Sequence, residues 1–82
     1  MTPDLAEAAI KEALGQVTPG ADTTAIDADA DLRDTLELDS LDFLRFVEIL
    51  SERTDERIDE DDYPQLATMS SAVKFLAGRA SR

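Results

Sequence analysis

A chain of 82 residues is enough for one small domain, expected over residues 1–82, with a thin stability margin and no room to enclose a catalytic cleft. Nineteen acidic residues against eight basic ones give a formal charge of −11, which disfavours nucleic acid and anionic membrane surfaces and favours basic protein partners. Without cysteine or histidine there is no disulfide framework, thiolate metal site or imidazole ligand, and no resident metal is expected.

The first element is a helix over residues 3–17, "PDLAEAAIKEALGQV". Thr2 serves as its N-cap, Pro3 sits at the first helical position and acids follow in the first turns. Leu5, Ala6, Ala9, Ile10, Ala13, Leu14 and Val17 recur at helical spacing, leaving Glu7, Lys11 and Glu12 for water. From Thr18 to Leu38 runs a long connection that opens on a Pro-Gly turn and is rich in small and acidic residues. Leu32, Leu36 and Leu38 are its isolated apolar anchors, and a connection of that length is expected to wrap the core or to do a job.

A second helix is expected to start with Asp39 as N-cap, its carboxylate accepting from the free N–H groups of the first turn, with Asp42 adding negative charge there. Leu41, Leu44, Val47 and Leu50 fit a single buried face, which leaves Phe43, Phe46 and Ile49 at its edges. Beyond Thr54, Ile58 is a lone apolar anchor, Asp59 caps a short third helix ending at Leu66, and Thr68 caps a fourth. Met69, Ala72, Val73 and Leu76 form the inner face of that last helix, which Gly78 is expected to end. The fold class is therefore all-α: a small four-helix bundle with a long loop between helices one and two and a short third helix. No apolar run is long enough to span a bilayer. The start "MTPDLAEAAI" lacks the basic and apolar stretches of a signal peptide, so a cytoplasmic protein without membrane association is expected.

Charge is uneven along the chain. Residues 1–38 hold nine acids and two bases, residues 39–62 ten acids and three bases, and residues 63–82 three bases and no acid. The dense acidic part repels itself, and salt or Mg²⁺ relieves that repulsion.

Within "ELDSLDF", Ser40 stands between two aspartates at a helix start. As a nucleophile it lacks a base: there is no histidine, and neither Lys11 nor Lys74 forms a known motif with it. One reading of Ser40 is simply a helix N1 residue beside an Asp cap. The other uses the physics of helix N-termini, where free N–H groups and the positive dipole end favour an attached phosphodiester by about 0.3–1 kcal/mol.

The stretch from Leu36 to Gly78, "LELDSLDFLRFVEILSERTDERIDEDDYPQLATMSSAVKFLAG", resembles the acyl carrier protein family, whose motif is Asp-Ser-Leu at the start of the second helix. The resemblance implies a four-helix carrier bearing a 4′-phosphopantetheine arm from coenzyme A on Ser40, with Asp39 and Leu41 as the flanking site residues. Such a carrier brings no catalytic group of its own. Its arm carries acyl intermediates as thioesters, in fatty-acid, polyketide or other specialised acyl biosynthesis. Implied partners are a phosphopantetheinyl transferase and acyl-transferring, acyl-activating or ketosynthase-type enzymes with basic patches, met by a monomeric carrier. Asp42, Phe43, Arg45, Glu48 and Glu52 are the implied docking residues, with Phe43 expected to be an exposed aromatic one turn from Ser40. Leu44, Val47, Ile58, Leu66 and Leu76 are the implied lining for an acyl chain folded between helices, and are equally well the core.

Three departures accompany the resemblance. Glu37 stands where many carriers have glycine, so the approach to the helix is expected to use ordinary backbone angles. Arg45 and Arg53 interrupt a usually more acidic helix, and Asp59 replaces a frequent proline. The "DYPQLAT" segment is closer to stand-alone carriers of specialised pathways. A different class also stays open: "DADADLRDTLEL" from Asp27 to Leu38 begins like a calcium loop, but has Leu32 where the turn glycine belongs and Leu38 where the bidentate glutamate belongs. A peptidyl or D-alanyl carrier, and an acidic interaction module without an arm, are the remaining alternatives.

Overall fold

The computed structural model describes residues 2–80. Its elements run α1 (Pro3–Val17), a 3₁₀ turn (Thr23–Ala25), α2 (Leu32–Thr35), α3 (Ser40–Thr54), a 3₁₀ segment (Glu60–Leu66) and α4 (Met69–Ala80). The expected all-α bundle with a long first connection and a short third helix is the fold observed. Arg82, part of the basic tail, lies outside the described residues. Among the described residues, no helix is long and apolar enough to cross a membrane.

Helix α1 starts as expected, with Thr2 Oγ1 accepting from Leu5 N–H at 3.2 Å and proline in the first turn. Ala6, Ile10, Ala13 and Leu14 are buried against α3 and α4. Leu5 does not join them. It is 60% exposed, one position off the stripe that faces the bundle.

The phase of α3 differs from the expectation. Its buried residues are Phe43, Phe46, Val47 and Leu50, while Leu41 is 73% and Leu44 42% exposed. Both sets obey helical spacing and differ by a rotation of about 80° at 3.6 residues per turn. Two phenylalanine rings bury somewhat more apolar area than two leucines, and Phe43 meets the edge of Tyr63 from the neighbouring segment, so the rotation that places Phe43 and Phe46 inside is favoured. The rings stack at a tilt, 6.0 Å between centroids. Arg53 leaves this helix toward α1, pairing with Glu12 at 3.0 Å.

The long connection is held at several points. Leu32 is fully buried, Leu38 is buried, and Ile26 and Leu36 pack against the core from its edge. Asp31 caps the unforeseen helix α2 by accepting from Asp34 N–H at 3.1 Å. Leu32 N–H donates to Ala67 O at 2.8 Å and Ser70 N–H to Ala28 O at 3.0 Å, tying the connection to the entrance of α4. These are the acids of the supposed calcium loop: Asp27 accepts from Asp29 N–H and Asp31 is a helix cap. No group of three or more acids among the described residues is arranged around a metal-sized space.

Helix α2 ends on a backbone feature that overturns one expectation. Glu37 adopts φ 54°, in the left-handed region, and Leu38 N–H reaches back to Arg33 O at 2.9 Å. This is a Schellman closure, with the left-handed residue at the position glycine normally fills. The reversal that carries the chain from α2 into α3 requires that conformation, so glutamate adopts it at a steric cost. Asp55 closes α3 the same way at φ 55°, with Glu56 N–H donating to Ser51 O.

The third helix is of 3₁₀ type. Asp59 stands at its head, where Asp62 carboxylate accepts from Asp59 N–H at 3.1 Å, and Pro64 within it has no N–H to give a regular α-turn. Thr68 caps α4 through Ser71 N–H at 3.1 Å. Met69, Ala72, Phe75 and Leu76 are buried and Val73 is half-buried. Gly78 does not end α4, which continues to Ala80; an interior glycine costs about 1 kcal/mol and only weakens the last turn.

Candidate functional site

Asp39 organises the mouth of α3. Its backbone is extended, its carboxylate accepts from Asp42 N–H at 2.8 Å, and its carbonyl accepts from Phe43 N–H at 2.9 Å. The N–H groups of Ser40 and Leu41, at the first two helical positions, have no acceptor within the helix. Ser40 is exposed, and its hydroxyl is engaged in no hydrogen bond among the described residues. A free hydroxyl thus projects from a capped helix end, beside the exposed leucine at 41. The bundle supplies the rigidity behind it: Phe43, Phe46 and Leu50 lock α3 into the core.

Two grooves flank this helix. The first, of about 370 Å³, is walled by Leu44, Val47, Glu48, Glu52, Ile58 and Tyr63. It brings three of the expected acyl-lining residues together with two of the expected docking acids. Leu66 and Leu76, also expected in that lining, are instead fully buried in the core. A second groove, of about 320 Å³, lies against Phe43 between α2 and the 3₁₀ segment.

A match over residues 8–76 to the model of the family described as phosphopantetheine attachment site decides the class. The chain belongs to the phosphopantetheine-attachment family. The group such a carrier domain bears is 4′-phosphopantetheine, covalently attached. Family membership also implies partner enzymes that act on what the arm holds. In structure this carrier is similar to an acyl carrier protein from Enterococcus faecalis, with a TM-score of 0.71 at 18% identity over 95% of this chain and 98% of that one. No curated protein matches the chain in sequence.

The mouth of α3 fits an arm joined through phosphate. The hydroxyl is unengaged and exposed, two N–H groups are without intrahelical acceptors, and the Asp39 carboxylate is turned to Asp42 N–H. That hydrogen bond occupies one oxygen of the negative group closest in sequence to Ser40.

Of the expected docking residues, Arg45, Glu48 and Glu52 are exposed and Asp42 is half-exposed at the helix mouth. Phe43 is corrected: it is 7% exposed, packed edge-on against Tyr63 at 5.4 Å and 79°. An aromatic at i+3 from an exposed serine points inward here because the buried stripe of α3 begins with it. Leu41 and Leu44 hold the outward apolar positions in its place. Two residues of the site region were not anticipated. Tyr63 borders both grooves and Arg33 lies over the Phe43 ring at 5.3 Å. Tyr63 is the single tyrosine of the chain, directly before Pro64, which was the available signal; Arg33 carries none in sequence, because its position depends on α2.

Proposed function

We propose that this protein is a stand-alone acyl carrier with Ser40 as its attachment residue, the domain occupying residues 1–82 and working as a cytoplasmic monomer. The observation that carries the reading is the exposed, unengaged Ser40 hydroxyl at the first position of a helix capped by Asp39. In loading, Ser40 Oγ forms the new phosphoester bond to the phosphopantetheine phosphate as the nucleotide portion of coenzyme A leaves. Its proton passes to a base of the transferase, because the chain has no histidine to receive it. The bound arm supplies the thiol that holds the acyl group as a thioester.

The chain's own part is presentation rather than catalysis. Asp39 holds the first turn, so the attachment point keeps one orientation relative to α3. Leu41 and Leu44 offer apolar contact, with Asp42, Glu48 and Glu52 as acidic neighbours and Arg45 as a basic one, a pattern suited to partner surfaces of mixed charge. The groove beside Leu44, Val47 and Ile58 offers a neutral acyl chain partial cover from water. Departures at Glu37 and Arg45 point to specialised acyl biosynthesis rather than the general fatty-acid pathway.

Incubation with coenzyme A, Mg²⁺ and a broad-specificity phosphopantetheinyl transferase, followed by intact mass, tests this. One phosphopantetheine addition is expected on the wild-type chain and none on Ser40→Ala. A folded wild-type chain that stays unmodified, or an S40A chain that is still loaded, refutes it.

A further inference from the structure

We infer that the groove over Phe43, on the α2 side of α3, is a binding site for cargo that ends in a carboxylate. The inference rests on Ser40 being the attachment residue. The groove is bounded by Asp31, Arg33, Phe43, Tyr63, Pro64 and Ala67. Phe43 follows Ser40 by three residues, a rise of about 4.5 Å along the α3 axis, so the groove wall begins within one helical turn of Ser40.

Charge separates this groove from the other one on α3. The groove beside Leu44 has two glutamates in its wall and repels an anionic end group. The groove over Phe43 has Arg33, whose guanidinium lies 5.3 Å from the Phe43 ring and is in no ion pair among the described residues. In a chain of net charge −11, an arginine without a carboxylate partner is a cation left for another anion. The other charged wall residue, Asp31, is turned to its own helix, accepting from Asp34 N–H. The planar guanidinium, held over one aromatic ring beside a second, keeps its edge N–H groups for a bidentate carboxylate. The site thereby sorts cargo by end group: neutral chains to the Leu44 side, acyl groups with a terminal carboxylate to the Arg33 side.

The test loads ¹⁵N-labelled protein from succinyl-coenzyme A and, separately, from butyryl-coenzyme A, two acyl groups of equal chain length. Intact mass reports loading at Ser40, and failure to load refutes the attachment reading itself. Given loading, the amide resonances of Arg33, Phe43, Tyr63 and Ala67 are expected to shift at least twofold more with the succinyl than with the butyryl group. Arg33→Gln abolishes the difference, Arg33→Lys retains part of it, and added salt diminishes it in the wild-type protein, which needs no variant to fold. Equal shifts for both cargoes, shifts confined to Leu44 and Ile58, or a succinyl effect that survives in R33Q overturns the inference and leaves the role of Ser40 standing.

Discussion

Replacing Glu37 with glycine isolates the strain at the junction of α2 and α3. Glu37 is exposed and sits at φ 54°, so its side chain contributes no core packing while its Cβ crowds the backbone. A left-handed L-residue costs about 1–2 kcal/mol relative to glycine. Glycine returns about 0.4–1 kcal/mol of that through its greater freedom in the unfolded chain. The net expected for E37G is a stabilisation of about 0.7 kcal/mol, or roughly 3–5 °C in melting temperature for a domain of this size. Glu37→Ala keeps the Cβ and therefore the strain, and Glu37→Gln does the same while removing the charge. Urea denaturation at fixed ionic strength measures all three. E37G should be the most stable by several tenths of a kcal/mol, with E37A and E37Q close together. If E37A or E37Q equals or exceeds E37G, the gain belongs to charge or propensity and the left-handed account is wrong.

The helical phase of α3 is checked by a pair: Phe46→Ala should destabilise by about 3–5 kcal/mol and leave the domain marginal, while Leu41→Ala should change stability by less than about 0.5 kcal/mol in the same denaturation assay. Asp39→Ala is expected to lose about 1 kcal/mol of thermal stability and Asp39→Asn almost none, because only the first removes the acceptor for Asp42 N–H. Salt and Mg²⁺ should raise the melting temperature, since 19 acids face eight bases and the ion pairs present, such as Glu7 with Lys11 at 3.4 Å, lie at the surface; a flat titration would mean the acids are already compensated.

Caps and turns were readable in the chain because their chemistry is local. Thr2, Asp39 and Thr68 each accept from a backbone N–H three residues on, at the places their sequence context implies. Rotation of α3 was not readable, since Leu41, Phe43, Leu44, Phe46, Val47, Ile49 and Leu50 offer more apolar positions than one face needs, and the neighbours it packs against choose among them. Nor was α2, whose four residues are too few to show a period and are stabilised by Asp31 and by contact with Ala67. With α2 unseen, the left-handed Glu37 that ends it and the placement of Arg33 over Phe43 were also unseen. At the candidate site, the proposed residues Ser40, Asp39 and Leu41 stand together in one short motif, whereas the grooves exist only once α2, α3 and the 3₁₀ segment meet.

The bonds from Leu32 N–H to Ala67 O and from Ser70 N–H to Ala28 O also decide where this chain can be cut or lengthened. Upstream of them, the turn at Gly20 has φ 90° and open space around it, so extra residues or new termini there disturb only a surface reversal. Between Ala28 and Leu38 the same insertion would separate two partners that bond across the molecule and shift the junction leading into Ser40. A tag or fused domain therefore belongs near Gly20, and the stretch that looks like a loose acidic linker is the wrong place to splice.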